Sequence, residues 1–209
     1  VFLGAGDGTF SQVASLPTGQ GARSPVVADF NRDGKPDIAL AVYTGGAISL
    51  FIGNGNGTFQ APTSYANPYT TRMVLGDYNR DGNADLISIR ALNETVTVWL
   101  GNGAGTLQAA ATYPESISYT DAITADFNND NRLDLALTRG GDTFIRLGNG
   151  DGTFQAAVKQ PNAGLARIVA ADFNADGFLD LLSAWESSLR LSVGNGDGTF
   201  RAGIQLPAA

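Results

Sequence analysis

The chain has 209 residues, with 13 Lys and Arg against 20 Asp and Glu, a formal charge of −7, and neither His nor Cys. No Ser-His-Asp triad, cysteine nucleophile, disulfide framework or His/Cys zinc site can be built from it, so any catalytic site would use carboxylates, Tyr, Lys or Arg. The acidity argues against nucleic acid as a partner, while 27 glycines, about twice average usage, and a hydrophobic fraction of 43% describe a packed core with many tight turns.

The opening, VFLGAGDGTF from Val1 to Phe10, is already mid-pattern, so a mature or excised piece of a longer protein is expected. No basic-then-apolar stretch opens the given sequence, and no apolar run in it approaches the roughly 18 residues of a membrane span, so no membrane insertion is expected. Turns of the GNGxGTF kind begin at Gly4, Gly53, Gly101, Gly148 and Gly194, at spacings of 49, 48, 47 and 46 residues. Between them stand D-x-N-x-D-G-x-x-D segments at Asp29 to Asp37, Asp77 to Asp85, Asp126 to Asp134 and Asp172 to Asp180. Two motifs alternating in fixed phase define one supersecondary module of about 47 residues, the size of a propeller blade.

Within a module the hydrophobic period is two. Pro25 to Ala28 leads into the first acidic segment and Ile38 to Val42 leads out of it; Ile48, Leu50 and Ile52 alternate along a third strand, as do Val96, Val98 and Leu100. The fourth strand begins near Thr58, with Pro62 placing it at an edge, where a missing N–H costs no ladder bond. The predicted architecture is all-β: a propeller of four-stranded antiparallel blades, with a half blade at 1–20 and complete blades at 21–67, 68–114, 115–162 and 163–209. In such a meander the acidic loops and glycine turns share one face. The opposite face carries the connections that differ between modules, the usual place for recognition on a constant scaffold.

Each acidic segment has the spacing of a calcium loop. Side-chain oxygens at positions 1, 3, 5 and 9 converge with the position-7 carbonyl, and Gly at position 6 permits the sharp turn. The predicted ligands are Asp29, Asn31, Asp33, Lys35 (carbonyl) and Asp37; Asp77, Asn79, Asp81, Asn83 (carbonyl) and Asp85; Asp126, Asn128, Asp130, Arg132 (carbonyl) and Asp134; and Asp172, Asn174, Asp176, Phe178 (carbonyl) and Asp180. An all-oxygen set selects Ca2+ over transition metals, and Mg2+ demands stricter octahedral geometry. About four ions are expected, one per complete blade, the third loop binding more weakly because Asn131 replaces its Gly. Position 12 is Leu40, Ser88, Leu137 or Ser183 rather than Glu, so these are not EF-hands, and affinities of roughly 0.1 to 1 mM are expected.

The run Asp29-Phe30-Asn31-Arg32-Asp33-Gly34-Lys35-Pro36-Asp37-Ile38, followed by turns such as Gly148 to Phe154, resembles the FG-GAP/VCBS repeat over essentially the whole chain. That resemblance implies a calcium-binding β-propeller of the integrin α-subunit type and ligands at Asp29, Asn31, Asp33, Asp37 and their equivalents. Such propellers commonly have seven blades. Four and a half here imply a fragment, or a homo-oligomer completed by other blades.

On the variable face, Trp185 and Tyr43 are candidate stacking platforms and Arg23, Arg72 and Arg167 candidate anion-binding residues. Trp99, out of phase with Val98 and Leu100, is expected between blades. The three Glu residues, Glu94, Glu115 and Glu186, fall in or near variable loops, and a paired-carboxylate hydrolase would need two of them about 5 to 10 Å apart. The expected function is a calcium-stabilised, non-enzymatic module of an extracellular or cell-surface protein, for adhesion or recognition of carbohydrate or protein ligands. The alternatives are a polysaccharide lyase or hydrolase, or its non-catalytic module, and an architectural spacer.

Overall fold

The computed structural model describes residues 1–44, 46–90, 95–115, 119–161, 167–185 and 188–206. Strands β1 (Phe2–Gly4) and β2 (Phe10–Gln12) form a two-stranded antiparallel arm. Four sheets follow: β3 (Ala22–Ala28), β4 (Asp37–Val42), β5 (Ala47–Phe51) and β6 (Thr63–Ala66); β7 (Thr70–Gly76), β8 (Asp85–Arg90), β9 (Thr95–Gly101) and β10 (Leu107–Pro114); β11 (Asp121–Ala125), β12 (Asp134–Arg139), β13 (Asp142–Arg146) and β14 (Val158–Gln160); β15 (Arg167–Ala171), β16 (Asp180–Trp185), β17 (Ser188–Ser192) and β18 (Ile204–Leu206). Each is an antiparallel meander in chain order. The architecture is therefore the all-β arrangement of repeated four-stranded blades, preceded by a half blade.

The first strands of neighbouring sheets lie side by side, β3 by β7, β7 by β11 and β11 by β15. Among the described residues β15 does not close back onto β3, and the sheets form an open, incomplete propeller. The core lies between sheets. Phe30, Leu50, Met73 and Trp99 fill the first gap, Tyr78, Val98, Leu135 and Phe154 the second, and Phe127, Ile145, Leu181 and Phe200 the third. Trp99 packs between the first and second sheets, edge-on to Tyr65.

Packing sheet on sheet has a consequence that period-two reading misses. In the first three sheets the second and third strands are largely buried on both faces, so Ser49, Ser88, Thr97 and Thr138, polar by alternation, are buried as well, whereas Leu189 on β17 of the last sheet is 41% exposed. Ser88 meets its hydrogen-bonding needs inside, its Oγ accepting from Trp99 Nε1 at 2.9 Å and from Asn67 Nδ2 at 2.6 Å. Pro62 lies one residue before β6 rather than within the fourth strand, which starts at Thr63. Two prolines do enter strands: Pro114 ends the edge strand β10, and Pro25 lies in β3, where the β3–β4 register shifts and Ser24 takes a φ of 48°.

Candidate metal centres

Each acidic loop is a first-to-second strand connection wound around its own side chains. In the first, Asp29 accepts the amides of Asp33 (3.1 Å) and Gly34 (2.7 Å), Asn31 Oδ1 accepts Asp33 N (3.2 Å), and Asp33 Oδ1 accepts Lys35 N (2.9 Å). The pattern recurs at Asp77, Asn79 and Asp81, at Asp126, Asn128 and Asp130, and at Asp172, Asn174 and Asp176. Position 6 is left-handed in all four. Gly34, Gly82 and Gly177 have φ of 79°, 79° and 88°, and Asn131 follows them at 62°. Position 4 is left-handed too, at Arg32, Arg80, Asn129 and Ala175, with φ between 58° and 62°. Nothing in the spacing announces that second turn.

The position-9 aspartates stand apart. Asp37, Asp85, Asp134 and Asp180 open the second strands and have no exposed surface. Each bridges two elements, with one carboxylate oxygen accepting the position-2 amide and the other the glycine that begins the turn after the third strand. In the second sheet these donors are Tyr78 N and Gly101 N, both at 2.8 Å; Gly53, Gly148 and Gly194 play the same part elsewhere. The acidic loop and glycine turn are thus tied together on one face. These four glycines were not picked out as site residues in the sequence, although their fixed phase with the acidic motif was the available signal. A side chain on any of them would collide with the backbone, since a Cβ at Gly148 would lie 2.2 Å from Leu133 O.

Electrostatics separate the positions. Burial, reinforced by the charges of Asp130 and Asp126, outweighs the Gly148 and Phe127 amides and pushes Asp134 up to about 6. Burial also raises Asp85, with Asp81 and Asp77 adding to it. At position 5 the balance reverses. Asp81, despite partial burial, is held below the usual carboxylate range by the Asn83 amide, by Asn79 and by the Arg32 charge. Asp33 is lowered likewise, burial being outweighed by the amide and ammonium of Lys35 and by Asn31. Lys35 Nζ lies 3.3 Å from Asp33 and Arg132 Nη1 3.6 Å from Asp130, so the first and third loops carry a cation of their own. Asn83 and Phe178 supply no such charge to the second and fourth.

The donor set is what a hard cation takes: carboxylate and amide oxygens only, each oxygen that accepts one N–H keeping a second lone pair. Among the described residues, no three acidic side chains converge into a ready cage. The loops instead hold their carboxylates through backbone amides. Among those residues, none of the four position-9 aspartates has a basic partner within ion-pair distance.

The candidate ligand residues are scattered. Arg23, Arg72 and Arg167 stand at or near the starts of β3, β7 and β15, the ends remote from the acidic loops. Arg72 is ion-paired to buried Asp121 at 3.0 Å, and the Arg23 guanidinium lies 4.1 Å over the Tyr43 ring, which also meets Tyr69 edge-on. Arg167 is exposed. Glu115 is bound by Arg146 and accepts Tyr119 Oη at 3.0 Å, while Arg146 stacks over Tyr113. Glu94, Glu186 and the side chain of Trp185 lie outside the described residues.

These loops, turns and sheets define the class to which comparison with known proteins assigns the chain. The FG-GAP-like repeat matches residues 1–40, 29–88, 77–137 and 126–183, and the chain belongs to that family. No curated protein matches it. Among solved structures it is similar to an Agrocybe aegerita lectin described as specifically recognising non-reducing terminal N-acetylglucosamine, with 22% identity, TM-score 0.65, 87% of this chain and 51% of that one. This chain therefore spans about half the length of the lectin. It is also similar to the rhamnogalacturonan lyase YesW (15% identity, TM-score 0.53, 86% of this chain and 41% of that one). A Bacillus licheniformis rhamnogalacturonan lyase is 16% identical, with TM-score 0.53 over the same shares, 86% and 41%. At these identities the likeness is one of fold.

Proposed function

We propose that the chain is a calcium-stabilised, non-enzymatic β-propeller module of an extracellular or cell-surface protein, which recognises carbohydrate or protein ligands through the face opposite its acidic loops. One observation carries the calcium reading: four repeated oxygen-only loops, each ending in a fully buried aspartate that has no basic partner among the described residues. A buried carboxylate without a cation is costly. Calcium would be held by Asp29, Asn31, Asp33, Asp37 and the position-7 carbonyl in the first loop, and by the corresponding groups in the others. It would supply positive charge where three carboxylates share one turn. The protein's own part is to fix the course of the loop through the left-handed residues and the amide bonds, leaving the carboxylates to close on the ion as it binds.

The recognition reading is supported by the kinds of protein that share the fold, a lectin and two rhamnogalacturonan lyases. It is supported too by the contrast between four near-identical loops on one face and dissimilar connections on the other. Two measurements test it. Thermal unfolding should show a rise of several degrees in midpoint from EGTA to millimolar calcium, and superimposable curves would remove calcium from the account. A glycan array read with calcium and with EGTA should show binding without turnover. Released product would make the chain an enzyme, and binding to nothing would make it a spacer.

A further inference from the structure

Two arginines among the described residues lie over a tyrosine ring, and each stands where one full sheet meets the next. At the second boundary Arg146 of β13 sits 4.6 Å over Tyr113 of β10. Its Nη1 donates to Gln155 O at 2.8 Å, and its Nη2 is ion-paired to Glu115, which also accepts Tyr119 Oη. The two charged side chains are only 8% and 10% exposed. A guanidinium stacked on a ring keeps its N–H edge for a planar anion, and at this boundary the chain supplies the anion itself.

The first boundary has the same stack without the carboxylate. The Arg23 guanidinium lies 4.1 Å over the Tyr43 ring, yet Arg23 is exposed and has no ion-pair partner among the described residues. Arg23 pairs across β3 and β4 with Ala41, which packs between the first and second sheets with Met73 and Leu86. Cross-strand partners share a face, so the stack stands at the mouth of that gap, on the side remote from the acidic loops. Tyr69 enters from the second sheet, immediately before β7. Its ring meets Tyr43 edge-on with centroids 5.6 Å apart, it is 38% exposed, and its φ of 62° is one that a bulky residue seldom takes. Arg90 pins the turn that holds it there, its Nε donating to Pro68 O at 2.8 Å.

We infer, on the recognition reading proposed above, that Arg23, Tyr43 and Tyr69 form a binding site for a carboxylate-bearing saccharide. The Arg23 fork takes the carboxylate and the Tyr69 ring takes the C–H face of the sugar. The carboxylate follows from the second boundary, where an equally stacked guanidinium holds Glu115. The sugar follows from the ring beside it. A partly exposed Tyr offers an apolar face next to the charge, and a uronate presents an apolar ring face next to its carboxylate, which an Asp or Glu side chain of a peptide does not.

Titration calorimetry of the intact chain with the uronate oligomer tetragalacturonate, with its methyl ester and with hexaglutamate tests the site. The acid should bind. The ester, which keeps the sugar faces and loses the charge, should bind at least about tenfold more weakly, and so should hexaglutamate. Added salt should weaken the acid. Arg23→Gln and Tyr69→Ala should each weaken the acid by at least about tenfold, with unfolding midpoints unchanged because both side chains reach the surface. Arg167→Gln, which removes an exposed arginine stacked on no ring among the described residues, should bind as the wild type does. Binding of the acid that neither Arg23→Gln nor Tyr69→Ala weakens, or an ester bound as tightly as the acid, would overturn the site. Tighter binding of hexaglutamate would overturn the sugar in favour of an acidic peptide. The glycan array separates this site from the reading it rests on: neutral glycans bound while the acid is not would overturn the site alone, whereas binding to nothing would remove both.

Discussion

Aspartates of one motif do two different jobs. Asp85 has no exposed surface and fastens Tyr78 N to Gly101 N, whereas Asp81 sits at the rim of its loop and accepts from its own turn. Asp85→Ala strands two buried amides, each bond to a charged acceptor being worth about 1.5 to 3 kcal/mol, so a loss of about 3 kcal/mol or more is expected. That loss should be measurable by urea unfolding in EGTA as well as in calcium. Asp81→Ala should lower stability in calcium and leave the EGTA curve nearly unchanged. Equal effects of both substitutions under both conditions would mean that the two positions are not distinct. The oxygen donors could be read from residue spacing alone. The double role of position 9 could not, because its second partner lies 14 to 16 residues away on another turn. The left-handed residue at position 4 was hidden for a different reason: Arg, Asn and Ala fill it, and none of these is required there as Gly is at position 6.

Among elements, the glycine turn is the most tightly constrained. Gly148 lies so close to Leu133 O that Gly148→Ala must move one strand against the other, and a loss of roughly 3 kcal/mol or more is expected in thermal or urea unfolding. Ala at Gly150, where the nearest contact is the flexible Arg132 side chain, should be milder apart from its positive φ. The same scale explains where pattern reading stopped. Alternation gave the strands and their order, since turn chemistry punctuates every module. It misjudged burial, because a blade packed between two others buries both faces of its middle strands, and Ser88 or Thr138 is then as enclosed as Leu86. Variable-face residues were harder still. Arg72 stands in the sequence as a candidate anion-binding residue and Glu115 as a candidate carboxylate of a hydrolase pair, but each meets a partner far along the chain, Asp121 and Arg146, that no local motif foretells.

For the molecule as a whole, the repeat sets both the architecture and the charge. Twelve of the 20 acids and four of the 13 bases, Arg32, Lys35, Arg80 and Arg132, occupy the four loops, leaving eight acids against nine bases elsewhere. The net acidity is therefore concentrated in the loops on one face, and the rest of the chain is close to neutral. Four blades and an arm were countable from the two motifs. Whether the ring closes was not, since no pattern within a module fixes how many modules a ring holds. The central claim is that the acidic loops bind calcium. Equilibrium dialysis of the chelator-stripped chain against calcium, carried to several millimolar, measures it directly. The account predicts saturation near four ions per chain with dissociation constants of roughly 0.1 to 1 mM, falling by one ion in Asp81→Ala. Binding of no calcium over that range, or a stoichiometry unchanged by that substitution, would contradict it.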